Sequence, residues 1–358
     1  MSFPRPKYPQ STVIKSITFD KDRIIKDWGD MWANTWADDD SLCVVGGDID
    51  VFAEGCDPEP SVMNTWRVAG HPAAGDVDIK MLNHRIIDKA FAASLPETHP
   101  NNNIKPGGMI FVNGTLYMSV SSMNYGEAAH GYRQRYPNSW IITSDDYGQT
   151  WDTHATSYDF FSGTFCGATF VQFGKNNAGA RDEYIYAASA CGYNGVSYWE
   201  NADQIIMGRV RNDLILQRSA WEFYTGGGWD ADQSKAVPIF EYPGMTGQNF
   251  IHYNAGIGRY IMGNYGFVSE QGEPRPYHQG EFTKEETRFP TQLTLFEASE
   301  PWGSWSVFHT DDKWNKYGGY QPSFPQKWMS ADGLEMYMLS SSSDLEYRFL
   351  VQRAVLNK

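Results

Sequence analysis

The sequence lacks the features of a membrane protein. No stretch approaches the ~20 consecutive apolar residues that a membrane-spanning helix requires, and the first residues, MSFPRPKYPQ, contain no apolar signal core. Helical periodicity is nearly absent as well, and residues 85–94 are the one segment whose pattern suggests a short helix. We therefore expect no membrane partner and a fold with very little helix.

Positive charge is also scarce. The chain has 29 Lys and Arg against 43 Asp and Glu, which gives a formal net charge of -14. The densest basic cluster, Arg133 to Arg135, contains only two arginines. Because a polyanion would be repelled at long range by this balance, we expect no nucleic-acid partner.

Cysteine is too rare for a disulfide scaffold or a zinc site. The four cysteines are Cys43, Cys56, Cys166 and Cys191, and their spacing matches no metal-ligand pattern. Cys43 and Cys166 lie in apolar runs, which predicts buried free thiols. The sequence also contains no phosphate-binding loop and no nucleophilic serine motif. We expect no metal and no cofactor; a calcium ion on the axis of the fold proposed below would be compatible with it but has no signature in the sequence.

Aromatic residues, by contrast, are abundant. The chain contains 13 Trp, 21 Tyr and 20 Phe, and its 34 Gly and 18 Pro are spread along the whole length. Short strands separated by frequent turns produce this composition. Trp and Tyr rings also stack on the apolar faces of sugars. The composition therefore predicts an all-β protein and is compatible with carbohydrate binding.

A repeated pattern of strands runs through the chain. Each unit has an apolar strand, a tight turn, a second strand rich in Tyr and small residues, a polar loop and a third strand. The units span residues 28–90, 106–158, 163–225, 238–310 and 318–358. The last unit lacks a fourth strand, which residues 11–19 can supply by pairing with it. We expect a single domain over residues 1–358, an all-β, five-bladed β-propeller closed by this pairing.

One motif within the repeats is specific. Residues 144–151, SDDYGQTW, match the Asp-box pattern S-x-D-x-G-x-T-W that occurs in sialidase-like propellers. We expect Asp146 to accept backbone N–H bonds across a turn, Gly148 to take a strained dihedral angle and Trp151 to pack under the blade. This motif marks the fold and is expected on the face away from the active site, so Asp146 is not a catalytic candidate.

The predicted propeller brings two aspartates together. The start of each innermost strand and the loop after each second strand open on the same face, and in the first unit these places hold Asp30 and Asp48. Two carboxylates flanking a glycosidic bond can protonate the leaving oxygen and activate water or attack the anomeric carbon. Asp30 and Asp48 are therefore the catalytic candidates, whereas Asp38, Asp39 and Asp40 are expected to form a structural turn on the opposite face.

Three longer segments carry a family resemblance. GDMWANTWADDDSLCVVGGD (29–48), FEASEPWGSWS (296–306) and GGYQPSFPQKWMSADGLEMYMLSSSS (318–343) resemble a microbial family of propellers that includes endo-D-arabinanases. The pattern is similar also to the arabinanase and xylosidase clan of five-bladed glycosidases. This resemblance implies that Asp30 and Asp48 are catalytic. The Ile-Asp pair after Asp48 and the insertion at 53–62 depart from the endo-arabinanase branch, which bears on the substrate.

Further polar residues are expected on the same face as Asp30. Long loops on a rigid scaffold are where binding residues concentrate, and Arg side chains there would suit an acidic sugar through bidentate pairing. The predicted substrate-binding residues are Trp32, Tyr125, His130, Arg133, Arg135, Tyr193, Gln248, Asn249, Glu270, Arg275, His278 and Gln321. His252, within the apolar run NFIHYN, is expected to be a hydrogen-bonded core residue.

Three functions remain open on the sequence. The first is a glycoside hydrolase of plant or microbial polysaccharides that uses Asp30 and Asp48, with Glu270 or Glu273 as a third acid. The second is a polysaccharide lyase that acts on a uronate through the set His130, Tyr132, Arg133 and Arg135, or the set Arg275, Tyr277 and His278. The third is a non-catalytic sugar-binding propeller. Either the protein is cytoplasmic or a leader has been removed, and a polysaccharide substrate favours a secreted or periplasmic protein.

Overall fold

The chain is built almost entirely of β-strands. The computed structural model describes residues 3–47, 63–87, 104–124, 127–276, 289–315, 318–342 and 348–358. Helix in these ranges is limited to three-residue 3-10 turns: Pro72–Ala74, Ala128–His130, Lys175–Asn177, Arg218–Ala220, Gln233–Lys235 and Gln326–Trp328. Residues 85–87 are not helical, and the rest of the predicted short helix, 88–94, lies outside the described residues.

Within the described ranges the strands form five antiparallel sheets in a propeller-like arrangement. The first sheet contains β2 (Asp30–Trp36), β3 (Leu42–Gly47), β4 (Asn64–Ala69) and β5 (Asp78–Asn83). The second contains β6 (Ile104–Val112), β7 (Thr115–Ser122), β9 (Asn138–Ser144) and β10 (Phe161–Ser162). The fourth contains β18 (Phe250–Asn254), β19 (Arg259–Phe267), β20 (Thr291–Ala298) and β21 (Ser306–Asn315).

The third sheet is larger than the predicted unit. Its main strands are β11 (Thr169–Phe170), β12 (Tyr184–Cys191), β14 (Ala202–Arg211), β15 (Glu222–Tyr224) and β16 (Trp229–Asp230). It is extended by β8 (Arg135–Tyr136), β13 (Ser197–Tyr198) and β17 (Phe240–Thr246). Because β17 pairs with β14, the fourth unit begins after this strand rather than at residue 238. The loop of the second unit likewise contributes β8, which pairs with β13.

The fifth sheet combines strands from both halves of the sequence. It contains β22 (Gly319–Ser323), β23 (Glu335–Ser342), β24 (Arg348–Asn357) and β1 (Ser16–Trp28). β1 pairs antiparallel with β24 from Ser16 opposite Asn357 onwards. This is the pairing that residues 11–19 predict, although β1 is longer than expected and extends to Trp28.

The predicted tight turns are present in the structure. Asn113 and Gly114 connect β6 to β7 with φ angles of 53° and 85°, the left-handed region that Asn and Gly tolerate best. Residues 38–40 form the turn between β2 and β3. β2 pairs with β3, and β6 pairs with β7, across these turns. The strands predicted on either side of the turns are therefore confirmed, and the turns fix the pairing register.

Hydrophobic clusters lie between neighbouring sheets. One cluster joins the first, second and third sheets, a second joins the third and fourth, and a further one joins the fourth and fifth. Trp32, Val44 and Trp66 of the first sheet pack with Leu339 and Phe349 of the fifth. Apolar side chains therefore fill the space between the first and last sheets as they do between consecutive ones.

The turn at residues 144–151 has the expected internal hydrogen bonds. The Thr150 N–H donates to Asp146 Oδ1 over 2.9 Å, and the Gly148 N–H donates to Ser144 Oγ over 2.8 Å. Gly148 has a φ of 92°, and Trp151 Nε1 donates to Gly148 O and to Thr65 Oγ1 of the first sheet. The turn therefore ties the second sheet to the first.

Buried thiols and a buried histidine lie in the strands. Cys43, Cys166 and Cys191 are free and buried, as predicted for the first two, and burial raises the pKa of Cys43 and Cys166 to about 12. His252 is buried as expected, but neither ring nitrogen has a hydrogen-bond partner among the described residues. Burial lowers the pKa of His252 to about 3, so the imidazole is neutral. Cys56 lies outside the described residues.

Candidate functional site

The innermost strands of the five sheets all begin on one face of the molecule. These strands are β2, β6, β11, β18 and β22, and contacts join β2 to β6, β6 to β11, β11 to β18, β18 to β22 and β22 to β2. β11 and β18 run in the same direction, since Gln172, just after β11, forms a parallel bridge with His252 in β18. We call the face where these strands begin the near face, and the opposite one the far face.

Asp30 is the first residue of β2 and lies on the near face. Its side chain is only 5% exposed, and Tyr320 Oη donates to its Oδ2 over 3.1 Å. The register of β2 shifts between Asp30 and Ala33, and Met31 and Trp32 have positive φ angles of 70° and 27°. Bulges of this kind re-aim side chains beside functional sites. The strand is therefore irregular at the catalytic candidate.

Gly47 and Lys105 complete the immediate surroundings of Asp30. Gly47 pairs with Asp30 across β2 and β3. A Cβ on Gly47 would lie 2.7 Å from Asp30 Oδ1 and 3.9 Å from Lys105 Nζ. Lys105, near the start of β6, is only 4% exposed. A glycine is therefore required where a carboxylate and an ammonium group approach the same backbone position.

Asp48, the second catalytic candidate, lies outside the described residues, as do Tyr125 and His278. The residue before it in the sequence is Gly47, the pairing partner of Asp30. The role of Asp48 therefore stays a prediction.

Three buried amide side chains lie at the starts of β18 and β22. Gln248, Asn249 and Gln321 are 2%, 3% and 2% exposed. Gln321 Nε2 donates to Gln248 Oε1, and Gln248 Nε2 donates to Gly167 O over 2.8 Å. The Asn249 side-chain amide and Gln321 Oε1 have no hydrogen-bond partner among the described residues. These groups can therefore bind a polar ligand such as a sugar hydroxyl.

An aromatic cluster and a buried glutamate lie beside these amides. The Trp199 ring packs edge-on against Tyr265 and Tyr320, with centroids 5.8 and 5.2 Å apart. Glu200 is fully buried and accepts the Gln134 N–H over 3.3 Å. Burial raises the pKa of Tyr265 well above its usual value, and the nearby Tyr136, Glu200 and Asp30 raise it further. Glu200 and Asp30 therefore both act electrostatically on the same phenol.

Trp32 lies in the core rather than at the surface of the near face. Its ring is 2% exposed, packs edge-on against Trp66 and Phe349, and donates from Nε1 to Arg348 O over 3.0 Å. The bulge at the start of β2 turns the ring between the first and fifth sheets. In this arrangement Trp32 supports the backbone of Asp30 and does not present a ring face to a sugar.

The arginines of the second unit's loop are paired with acidic residues. Arg135 donates from Nε to Glu127 Oε2 over 2.9 Å, and Arg133 lies 3.3 Å from Asp203 Oδ2. The Arg133 guanidinium also lies 3.8 Å above the centre of the Tyr198 ring. Both arginines are therefore neutralised within the protein.

His130 belongs to the same loop. Its Nδ1 lies 3.1 Å from Tyr198 Oη, and its Nε2 lies 3.4 Å from Glu127 Oε2. Burial lowers the pKa of His130, with Arg135 contributing in the same direction and Glu127 opposing it. Tyr198 is 1% exposed. The His130–Tyr198 pair therefore anchors the loop.

Tyr193 is the most exposed of the predicted binding residues on the third sheet. Its side chain is 59% exposed, its backbone N–H donates to Asp203 Oδ2 over 3.1 Å, and its Oη donates to Glu241 Oε1 over 3.3 Å. The ring follows the end of β12, which lies on the near face. Tyr193 is therefore a fixed and exposed aromatic surface on the near face.

The predicted site residues described in the loop that follows β19 are more exposed than Asp30. Glu270 is 64% exposed and paired with Lys313 over 2.7 Å, and Glu273 is exposed as well. The guanidinium of Arg275, which is half-buried, lies 4.6 Å above the Phe289 ring. Glu200, rather than Glu270 or Glu273, is thus the buried acid that acts on the same phenol as Asp30.

Sequence reasoning missed three residues around Asp30: Lys105, Glu200 and Tyr320. A lysine inside the apolar run that begins at Ile104 is a usable signal, because Lys is almost never fully buried unless it is paired. Glu200 has no such signal, since it lies between two strands in a polar segment. Tyr320 resembles many other strand tyrosines in this sequence.

Two general features of the described residues bear on the site. Among them, no group of three or more His, Cys, Asp or Glu side chains is placed to hold a metal ion. No helix in the same part of the chain has the length and apolar character needed to cross a membrane.

Comparisons with known proteins identify the fold and the family. Residues 26–353 match the family described as Domain of unknown function (DUF4185). No curated protein sequence matches at a significant level. A provisionally assigned hydrolase from Bacteroides ovatus ATCC 8483 is similar in structure, with a TM-score of 0.52, 10% identity, and coverage of 92% of this chain and 87% of that one.

Two further structures have glycoside hydrolase names. A GH43_1 enzyme from Xanthomonas citri has a TM-score of 0.49 and 12% identity over 93% of this chain and 88% of its own. An alpha-L-arabinofuranosidase from Podospora anserina, in complex with cellotriose, has a TM-score of 0.47 and 8% identity over 99% and 98%. The likeness to the Bacteroides ovatus structure, at 10% identity, concerns the fold alone.

Proposed function

This chain belongs to the DUF4185 family, and we propose that it is a glycoside hydrolase that cleaves a polysaccharide or oligosaccharide on its near face. The observation that carries the proposal is Asp30: a buried carboxylate at the start of the innermost strand, bonded to Tyr320 and close to Lys105. A carboxylate held in this way, beside buried amides that can bind hydroxyl groups, is suited to glycosidic bond cleavage.

Asp30 and Asp48 are proposed as the catalytic pair. One protonates the leaving oxygen while the other activates water or attacks the anomeric carbon. Glu200 is a third carboxylate near the site, in place of the two exposed glutamates that the sequence suggested. Its complete burial in this structure means that it acts through its charge on neighbouring groups.

The substrate proposed is a neutral sugar. Arg133 and Arg135 are neutralised by Asp203 and Glu127, which leaves little positive charge for a uronate carboxylate. The unpartnered amide of Asn249 and Oε1 of Gln321 suit hydroxyl groups instead. This balance favours hydrolysis of a neutral glycan over the lyase reaction, and the exposed ring of Tyr193 can stack on a more distant sugar.

A closed five-bladed ring is the finer form of the fold that we propose. Five sheets within the described ranges, the pairing of β1 with β24 and the apolar contacts between the first and fifth sheets support it. A polysaccharide substrate favours action outside the cytoplasm, and the turn at residues 144–151 is proposed to be an Asp-box.

The test is a panel of polysaccharides that includes neutral arabinans, arabinogalactans and uronate-capped glycans. Wild type is compared with Asp30→Asn and Asp48→Asn, reading new reducing ends and ultraviolet absorbance together. We expect reducing ends without absorbance, and a loss of about 10²- to 10⁴-fold in both variants. Asp40→Asn, which changes an aspartate on the far face, is the matched control and should keep full activity.

Other outcomes would redirect the assignment. Ultraviolet absorbance from an unsaturated uronate would indicate a lyase. Binding without turnover on any glycan would indicate a non-catalytic propeller. Activity that survives Asp30→Asn would remove Asp30 from the chemistry.

A further inference from the structure

We propose that Lys105 is a positioning residue that keeps Asp30 ionised, so that Asp30 acts as the base or nucleophile and another carboxylate supplies the proton. This inference rests on the proposed hydrolase function. It adds which carboxylate acts as the base or nucleophile and which supplies the proton. It follows from the placement of Lys105, Gly47 and Asp30.

Gly47 brings the two charged groups together. Because Gly47 has no side chain, Asp30 Oδ1 and Lys105 Nζ both approach the space that a Cβ would occupy, at 2.7 and 3.9 Å from it. The two groups come from different sheets, Asp30 from β2 and Lys105 from β6, which contact each other. An opposite charge at about 4–6 Å favours the ionised form of a carboxylate.

The burial of Lys105 points to a function for its charge. The side chain is 4% exposed although it lies near the start of a strand on the near face, where a lysine could extend to solvent. Removing an ammonium group from water is costly, so a buried lysine requires negative charge nearby. Asp30 is 5% exposed, so solvent screens their attraction only weakly.

Some of the other groups around Asp30 favour its ionised form, and others disfavour it. Tyr320, from β22, donates a hydrogen bond to Oδ2, which favours the carboxylate form. Glu200 and Asp30 both act on the Tyr265 phenol and raise its pKa, so that phenol stays neutral, and a second carboxylate close to Asp30 would disfavour its ionised form. Among the described groups that these contacts place near Asp30, Lys105 is the cation. Removing its charge should therefore shift the protonation equilibrium towards protonated Asp30.

The chemical consequence is a fixed assignment of roles. An ionised Asp30 can take a proton from water as the water oxygen attacks the anomeric carbon, or attack that carbon itself. The glycosidic bond breaks at the same time, and its oxygen receives a proton from the other carboxyl group. Without Lys105, a larger fraction of Asp30 would carry a proton at acidic pH and could perform neither task.

The first test is the pH profile of kcat/KM for wild type, Lys105→Met and Lys105→Arg on the best substrate of the panel. We expect the acidic limb to move to higher pH by about one unit in Lys105→Met and to stay in place in Lys105→Arg. A raised KM with an unmoved acidic limb would overturn the proposal and make Lys105 a substrate contact. Lys105→Gln replaces Lys105→Met if the methionine variant does not fold.

A second measurement does not depend on activity. Titration of protein with ¹³C-labelled aspartate carboxyl groups gives the midpoint for Asp30, assigned by its absence in Asp30→Asn. The midpoint should rise in Lys105→Met or Lys105→Gln, and an unchanged midpoint would refute the role of Lys105. If no glycan is cleaved, the proposed function fails, but this titration still decides whether Lys105 controls the ionisation of Asp30.

Discussion

The near and far faces of the molecule both carry aspartates beside turns, but their surroundings differ. On the far face, Asp40 accepts hydrogen bonds from Trp36 Nε1 over 3.0 Å and Lys327 Nζ over 2.9 Å. Asp39 bonds to Ser41 and pairs with Arg67, while Asp38 accepts the Tyr147 hydroxyl. These carboxylates are satisfied by local partners, as expected for structural turns.

On the near face, polar groups are buried beyond what local structure needs. Asn249 and Gln321 Oε1 have hydrogen-bonding capacity that no described residue uses. Met31, Trp32 and Gln321 have positive φ angles within strands, whereas the positive φ angles of Asp40 and Tyr147 on the far face lie in turns. Buried polar groups without partners and strained backbone both cost stability. The difference supports our proposal that the near face binds the substrate, whereas the far face is organised for stability.

The sharpest test of this difference uses two buried glutamates. Glu200 lies on the near face, whereas Glu297, at the far end of β20, pairs with Arg259 over 3.1 Å and accepts Ser11 Oγ over 2.7 Å. Glu200→Gln should reduce kcat about 10²-fold because it removes a negative charge that stabilises the positive charge developing on the sugar in the transition state, and it should leave KM nearly unchanged. Glu297→Gln should keep activity and lose about 1–3 kcal/mol of unfolding free energy. Steady-state kinetics measures the activity of each variant, and urea denaturation measures its unfolding free energy. Full activity in Glu200→Gln would contradict a role of Glu200 in the site.

Two asparagines at opposite ends of β18 give a second pair. Asn249→Ala should raise KM or lower kcat by about 10-fold, equivalent to about 1.4 kcal/mol, with little change in stability because its amide has no described protein partner. Asn254 donates from Nδ2 to Gly333 O over 2.8 Å. Asn254→Ala should therefore lower the unfolding free energy by about 1–2 kcal/mol at unchanged kcat and KM. Equal stability losses in both variants would show that Asn249 is structural.

The smallest expected effect concerns Asp146 on the far face. Burial opposes its ionisation, but hydrogen bonds from Thr150 and Ser144 outweigh burial and hold its pKa below the usual value. Its contribution to stability is therefore present above the pKa of an unfolded aspartate and is lost as the pH falls through the folded value. Asp146→Asn should be less stable than wild type at pH 7 by about 1 kcal/mol. The gap should narrow towards pH 3 in thermal melts, and a gap independent of pH would contradict this account.

Much of the fold could be predicted because its signals are local. The Asn113–Gly114 turn and the alternation of short apolar strands with Gly-containing turns depend on neighbouring residues. The extra strands of the third sheet could not be predicted in the same way. β8 has only two residues, and both β8 and β17 pair with strands of another predicted unit, so no local pattern marks these pairings.

The site could be predicted only in part. Asp30, Gln248, Asn249 and Gln321 follow from one rule, that innermost strands begin on the same face. Trp32 does not follow it, because the bulge after Asp30 turns the ring inward. The pairing of Arg133 with Asp203 depends on the packing of β8 against β13, and the contact between Tyr320 and Asp30 joins residues 290 positions apart.

The pairing of β1 with β24 also sets the order of events during synthesis. Asn357 Nδ2 bonds to Ser16 Oγ, and these residues are 341 positions apart. β1 therefore leaves the ribosome well before β24 and stays without its partner while the residues between them are made. Such late, long-range contacts slow folding and leave a strand edge exposed to other chains. Aggregation of the nascent protein should accordingly depend on how long β1 stays unpaired, and agents that cover strand edges should raise the folded yield.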